Sequence, residues 1–328
     1  MHGLRIGYER AGDGPPLVLL HGAVSDGRVW RDQLEDLADE FTVVAWDAPG
    51  CGTSSDPPET FRLPEYADCL AGFIKALDLM RPHVVGHSFG AGLALELYRR
   101  HPHVARSLVL VGGYAGWAGS LPAEEVEQRL QLALRTAELL PDGFVPQSIP
   151  GLFSDVMPAE RVDELLRIMS EIRPVGTRVM AHAFAEADLR DVLPLVRIPT
   201  LLLHGSADER SPLKVAEALH ADIPTSTLVV LARLATSATW SRLSGSMPRY
   251  AASCGQSTPH GRTDQAGRRP KAKNSGTNMV GRVSERSIRS KAADQRSTSA
   301  SVASPAATSA SRPAQLGGRI PGGGTKIW

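Results

Sequence analysis

The stretch VVGHSFGAG places Ser88 at the centre of a G-x-S-x-G pattern formed by Gly86, His87, Ser88, Phe89 and Gly90. The pattern alone is common. It gains meaning from its setting between a strand-like run, HVVGH, and a helix-like run, AGLALELYRR. A strand that turns straight into a helix must bend sharply. Gly86 and Gly90, two residues before and after the serine, leave room for that strained turn. The turn lifts the hydroxyl above the sheet and points a helix N-terminus at it. The chemistry this suits is nucleophilic attack on an acyl carbon. Such a serine needs a base to take its proton and N–H donors for the oxyanion that forms. Phe89, directly after the serine, offers one N–H. The loop in LLHGAVSDG, where His21 and Gly22 end an early strand, offers another at Ala23. His87 adjoins Ser88, so its side chain points elsewhere and is expected to shape the pocket.

These residues need a frame to position them. Short apolar runs at 17–22, 41–47, 83–88, 107–113, 200–205 and 226–231 are rich in Val and Leu. Continuous apolar runs of this length suit strands buried on both faces of a parallel sheet. Helix-period stretches lie between them. In EYADCLAGFIKALDL, the residues Cys69, Leu70, Phe73, Ile74 and Leu77 share one face. Alternating strands and helices predict an α/β fold with a doubly wound, mostly parallel sheet. Residues 114–195 interrupt the alternation with helical patterns at 122–140 and 158–172. In the second, Val162, Leu165, Leu166, Met169 and Ile172 form a stripe. This insertion is expected to form a helical lid over a pocket, with Trp117 and Phe184 as candidate lining residues.

The near-neutral net charge of +1 hides two unlike parts. Residues 1–231 carry 20 Lys+Arg and 32 Asp+Glu, a net of −12, whereas residues 232–328 carry 16 and 3, a net of +13. The second part is rich in Ser, Ala, Arg, Gly and Pro and poor in large apolar residues. It is expected to be a disordered, low-complexity basic tail, because it cannot bury enough surface to offset its ordering entropy. Its only aromatics are Trp240, Tyr250 and Trp328, and it shows no nucleic-acid-binding motif, so a nucleic-acid partner is not expected. No secretory signal opens the chain, and no run approaches the roughly 18 apolar residues of a membrane span. Cys51, Cys69 and Cys254 show neither metal nor disulfide spacing. The expectation is a cytoplasmic protein with a small-molecule substrate, no membrane partner, and no cofactor or metal.

LLHGAVSDGRVW, WDAPGCGTS, VVGHSFGAG and IPTLLLHGSAD, in this order, resemble the α/β-hydrolase superfamily. More narrowly they are similar to its small carboxylesterase, enol-lactonase and C–C hydrolase branch. The resemblance covers residues 1 to about 231. It implies Ser88 as nucleophile, with Ala23 and Phe89 as the oxyanion hole. It also implies a structural loop at Asp47, Gly50 and Gly52. Relatives with an aspartate nucleophile are disfavoured by the serine at the elbow. The family's acid lies in a G-x-x-D turn after a later strand, which matches Gly205 and Asp208. Asp208 would orient a histidine and stabilise its imidazolium. The chain order Ser, Asp, His then requires a histidine about one helix and one strand past Asp208.

That histidine is missing. His220 belongs to the helix after Asp208, as a solvated residue, and His260 lies inside the basic tail. A shift of reading frame near Leu231 accounts for the gap. Read one base out of register, Leu234 to Ser241 is compatible with Gly-His-Leu-Ser-Asn-Leu-Glu, the histidine spanning the Ala235 and Thr236 codons. Ser244 to Cys254 is compatible with an amphipathic closing helix. The expected parent is a serine hydrolase of small esters or lactones, crippled in this chain. The competing readings are a cofactor-free haloperoxidase, acyltransferase or lyase on the same scaffold, or a non-catalytic binding protein.

Overall fold

The computed structural model describes residues 3–139 and 159–232, together with the backbone of 279–282. The described residues fall within one compact unit, Met1–Ser287, and a second unit, Ile288–Trp328, lies outside them. The strands are β1 (Gly7–Ala11), β2 (Pro16–Leu20), β3 (Thr42–Trp46), β4 (His83–His87), β5 (Ser107–Val111), β6 (Thr200–Gly205), β7 (Ser226–Leu231) and β8 (Met279–Arg282). They form one sheet in the order β7-β6-β5-β4-β2-β3-β1-β8. From β3 to β7 all neighbours are parallel, while β1 pairs antiparallel with β3 and with β8. Every expected strand is present. The sequence reading does not anticipate β1, whose GYERA is half exposed and carries no apolar run. Nor does it anticipate β8. The rest of the expected basic tail, with His260 and the out-of-frame histidine loop, lies outside the described residues apart from Ala232.

The period of two along each strand divides the interior into two cores. Val18, Leu20, Val44, Trp46, Val84, Leu108, Leu110 and Leu202 face one side. Helices α2 (Leu63–Ala76), α3 (Phe89–Arg100), α6 (Pro174–Ala185) and α7 (Leu213–Asp222) supply that side's cover. Leu17, Leu19, Val43, Ala45, Val85, Val109, Leu201 and Leu203 face the other side, against the 3-10 turn Gly27–Trp30 and helix α1 (Arg31–Asp36). Continuous Val and Leu runs are needed because both faces are covered. The last strand, β7, is less covered, and Val229 and Val230 are exposed.

The insertion contains three described helices: α4 (Ala123–Leu139), α5 (Ala159–Ser170) and α6. Leu165, Met169 and Ile172 of the expected stripe are buried, and Ile168 joins them. Helix α5 is moored beside the loop that follows β2. Arg161 donates to the Val29 carbonyl at 2.7 Å, and Arg31 pairs with Glu164 at 2.7 Å. Helix α6 comes so close to the loop after β3 that a Cβ on Gly176 would lie 2.1 Å from the Gly50 carbonyl oxygen. Only glycine fits at such a contact. Phe184 is 3 % exposed and packs edge-on against Phe89 and Tyr114, with Trp117 tilted beside it. Phe184 is therefore part of the core, and Gly92 makes room for its ring.

Candidate active site

Ser88 adopts φ +50° and ψ −110° as the residue that caps α3. This backbone region is costly for a non-glycine residue, and strain of this kind collects at functional sites. Its neighbours make the bend possible. A Cβ on Gly86 would lie 2.1 Å from the Gly90 carbonyl oxygen, and one on Gly90 would lie 2.4 Å from that of Leu20. The Ser88 N–H donates to the Val111 carbonyl at 2.9 Å, tying the elbow to the end of β5. Ser88 itself is half-buried, so solvent reaches it.

The Ala23 loop lies alongside. A Cβ on Gly22 would lie 2.8 Å from His87 Nδ1, and Gly90 packs on the carbonyls of Leu20 and His21. Ala23 is exposed. Neither its N–H nor that of Phe89 has a hydrogen-bond acceptor among the described residues. Helix α3 adds the partial positive charge of its N-terminus.

His21 is locked. Its Nε2 accepts the Ala48 N–H at 3.0 Å, so Nδ1 carries the proton and donates to the Gly22 carbonyl at 2.7 Å. Burial holds its pKa below the usual value. Its role is to fix the strand end before Ala23. Burial, with the charges of His21 and Arg210, pushes His87 down to about 3. An imidazole so weakly basic is a poor acceptor for a serine proton near neutrality.

Asp208 is buried in the turn after β6. Its Oδ1 accepts the Arg210 N–H at 3.0 Å and the Ser211 N–H at 2.8 Å. Its Oδ2 lies 3.4 Å from where a Cβ on Gly112 would stand. Gly112 follows Val111, which holds the Ser88 amide. The ends of β4, β5 and β6 thus bring Ser88 and Asp208 to the same carboxyl edge of the sheet. His204 Nε2 donates to the Ser211 carbonyl at 2.7 Å and buttresses the Asp208 turn from β6. Sequence reasoning missed His204, Tyr114 and Arg129, whose side chains reach this turn through the backbone carbonyls of Arg210 and Ser211, acceptors that leave no motif.

Asp47 is structural. Oδ1 accepts the Gly27 N–H at 2.9 Å, and Oδ2 accepts the Thr53 N–H at 2.8 Å and its hydroxyl at 3.0 Å. The other described histidines lie elsewhere. His83 begins β4, at the opposite sheet edge, and bonds Ser107 Oγ. His101 pairs with Asp68 and His182 with Glu186. His103 is exposed, as is His220, which bonds Ser226 Oγ. Among the described residues no cluster could hold a metal ion, and no helix is long and apolar enough to cross a membrane.

Comparison with known proteins agrees with this fold. A non-heme haloperoxidase-like protein of Mycobacterium phage D29 is 31% identical over 218 residues, 64% of this chain and 77% of that one. The pimeloyl-[acyl-carrier protein] methyl ester esterase of Vibrio campbellii is 27% identical over 67% of this chain and 86% of its own length. The structure of a thermophilic esterase from Thermogutta terrifontis superposes with a TM-score of 0.70 at 27% identity, covering 76% of this chain and 94% of that one. The family model for the alpha/beta hydrolase fold matches residues 15–233, and the chain belongs to that family.

Proposed function

We propose that the site is that of a serine hydrolase acting on a small ester or lactone through an acyl-enzyme. The observation that carries this is the half-buried Ser88 at φ +50°, on the N-terminus of α3 and beside the Ala23 loop. In this reading Ser88 Oγ attacks the acyl carbon. The Ala23 and Phe89 N–H groups hold the oxyanion, the alcohol leaves, and water then cleaves the acyl-enzyme. Asp208 would orient the base and stabilise its charge. Gly86, Gly90, Gly22, His21 and His87 shape the elbow and the neighbouring loop. The relatives named for ester hydrolysis support the substrate class. Buried, unpaired Cys51 and Cys69 are compatible with a reducing, cytoplasmic setting.

We further propose that this chain lacks its base because the reading frame shifts near Leu231. Loss of a catalytic histidine costs about 10⁶-fold in kcat, roughly 8 kcal/mol. The test is fluorophosphonate labelling with ester hydrolysis. The chain as written is expected to label slowly and to hydrolyse p-nitrophenyl acetate no faster than its Ser88→Ala variant. Rapid Ser88 labelling, at the rate of an active esterase, sinks the loss of the base. The phage relative favours one second reading, a cofactor-free haloperoxidase on the same scaffold. Peroxide-dependent bromination exceeding ester hydrolysis in the frame-restored protein would select it.

A further inference from the structure

The insertion reaches the Asp208 turn at the peptide unit that joins Arg210 to Ser211. Its N–H end donates to Asp208 Oδ1 at 2.8 Å. Its carbonyl end accepts from Arg129 Nη2 at 3.0 Å and from the Tyr114 hydroxyl. Arg129 Nη1 also donates to the Tyr114 oxygen at 3.1 Å, which closes a three-membered ring of polar contacts. Arg129 is fixed from other sides too. Its Nη2 and Nε reach Glu125 at 2.7 and 3.1 Å, and its guanidinium lies 5.6 Å from the Tyr114 ring centre and 6.0 Å from that of Trp117.

We propose that Arg129 is a positioning residue for Asp208, acting through the Arg210–Ser211 peptide. The C=O and N–H of a trans peptide point in opposite directions, so cation, peptide dipole and carboxylate stand in series. A positive charge at the oxygen polarises the peptide and strengthens its N–H as a donor. A charged acceptor at the other end strengthens the bond again. The planar guanidinium can serve the carbonyl and the Tyr114 oxygen together from a fixed fork, whereas the compact ammonium of a lysine lacks that geometry. Ala137 is the one buried residue described in α4, and the half-buried Arg129 carries that helix's hydrogen bonds to Tyr114 and Arg210. The orientation of the acid is thereby coupled to the seating of the insertion. The proposal rests on Asp208 being the acid of the hydrolase reading.

Amide NMR and hydrogen exchange on the full chain test it without turnover. In Arg129→Met the Ser211 amide proton moves upfield and exchanges about tenfold faster, the size of one net hydrogen bond. Arg129→Lys restores part of the shift. In an Asp208→Asn background the Arg129→Met effect shrinks, because the two ends act as a unit. Tyr114→Phe, which removes one of the two donors, gives a smaller shift in the same direction and carries the test if Arg129→Met does not fold. An unchanged Ser211 amide, or a change spread equally over α4 and α7, overturns the proposal. Failure of every form of the protein to hydrolyse esters would instead overturn the hydrolase reading and leave these amide effects in place.

Discussion

Leu231, the last residue of β7, is the register partner of Gly205, the residue that opens the Asp208 turn. The Ser206 N–H donates to the Leu231 carbonyl at 2.9 Å. The chain therefore leaves β7 on the same sheet edge as Ser88 and Asp208, where a base would have to enter. The DNA between the codons for Asp208 and Cys254 is expected to encode a histidine across the Ala235 and Thr236 codons in an adjacent frame. Sequencing independent isolates checks this. One unbroken frame shared by all of them ends the idea.

Restoring the frame is expected to raise ester hydrolysis by about 10⁶-fold, the size of the loss when a triad histidine alone is removed. In the restored protein Asp208→Asn should lose about 10⁴-fold in kcat with little change in KM. Steady-state kinetics decide. A restored enzyme indifferent to Asp208→Asn would remove Asp208 from the triad.

Gly90→Ala and Gly92→Ala are expected to differ in severity. The added Cβ at Gly90 would stand 2.4 Å from the Leu20 carbonyl oxygen, which is backbone and cannot yield. A loss above about 3 kcal/mol, or no soluble protein, is expected. At Gly92 the clash is with the Phe184 ring, a side chain that can shift, and about 1–3 kcal/mol is expected. Urea titrations of the two variants give the comparison, and equal losses would contradict it.

Asp47→Ala leaves the Gly27 and Thr53 N–H groups and the Thr53 hydroxyl without their acceptor. The buried Gly27 N–H left unmade costs about 1–3 kcal/mol, and water reaches the exposed Thr53, so a loss of about 1–3 kcal/mol is expected. Chemical denaturation measures it. A loss under about 1 kcal/mol would mean that water replaces the carboxylate.

Acid should weaken the fold through His83. Burial, with the Arg106 charge, pushes its pKa from 6.5 to about 4. The unfolded chain then binds the proton more readily, so this stability is full above pH 6.5 and is lost as pH falls toward about 4. Thermal melts at about pH 7.5 and about pH 5 should show a smaller drop for His83→Gln than for the parent chain. An identical drop in both removes His83 as a cause.

The residues from Gly86 to Gly90 announce their own geometry, because a strand, a serine between two glycines, and a helix are all local. The Val and Leu runs of β2 to β6 likewise announce burial on both faces, since only a strand covered twice can be apolar at every position. β1 was less legible: its GYERA lies toward the sheet edge and half exposed, so no hydrophobic period marks it. From sequence Phe184 is a candidate pocket residue, although such residues are more often lid core. Only its packing against Phe89, Tyr114 and Trp117 places it in the core. The contact of Arg129 with the Asp208 turn could not be read at all. It joins residues far apart in the chain, and its acceptor is a backbone carbonyl, which every residue carries. Sequence alone determined the turn at Ser88 and the layers of the fold, through short-range sterics and hydrophobic period. Tertiary structure alone decided which distant groups meet Asp208, because those contacts depend on where the sheet edge and the insertion bring the backbone.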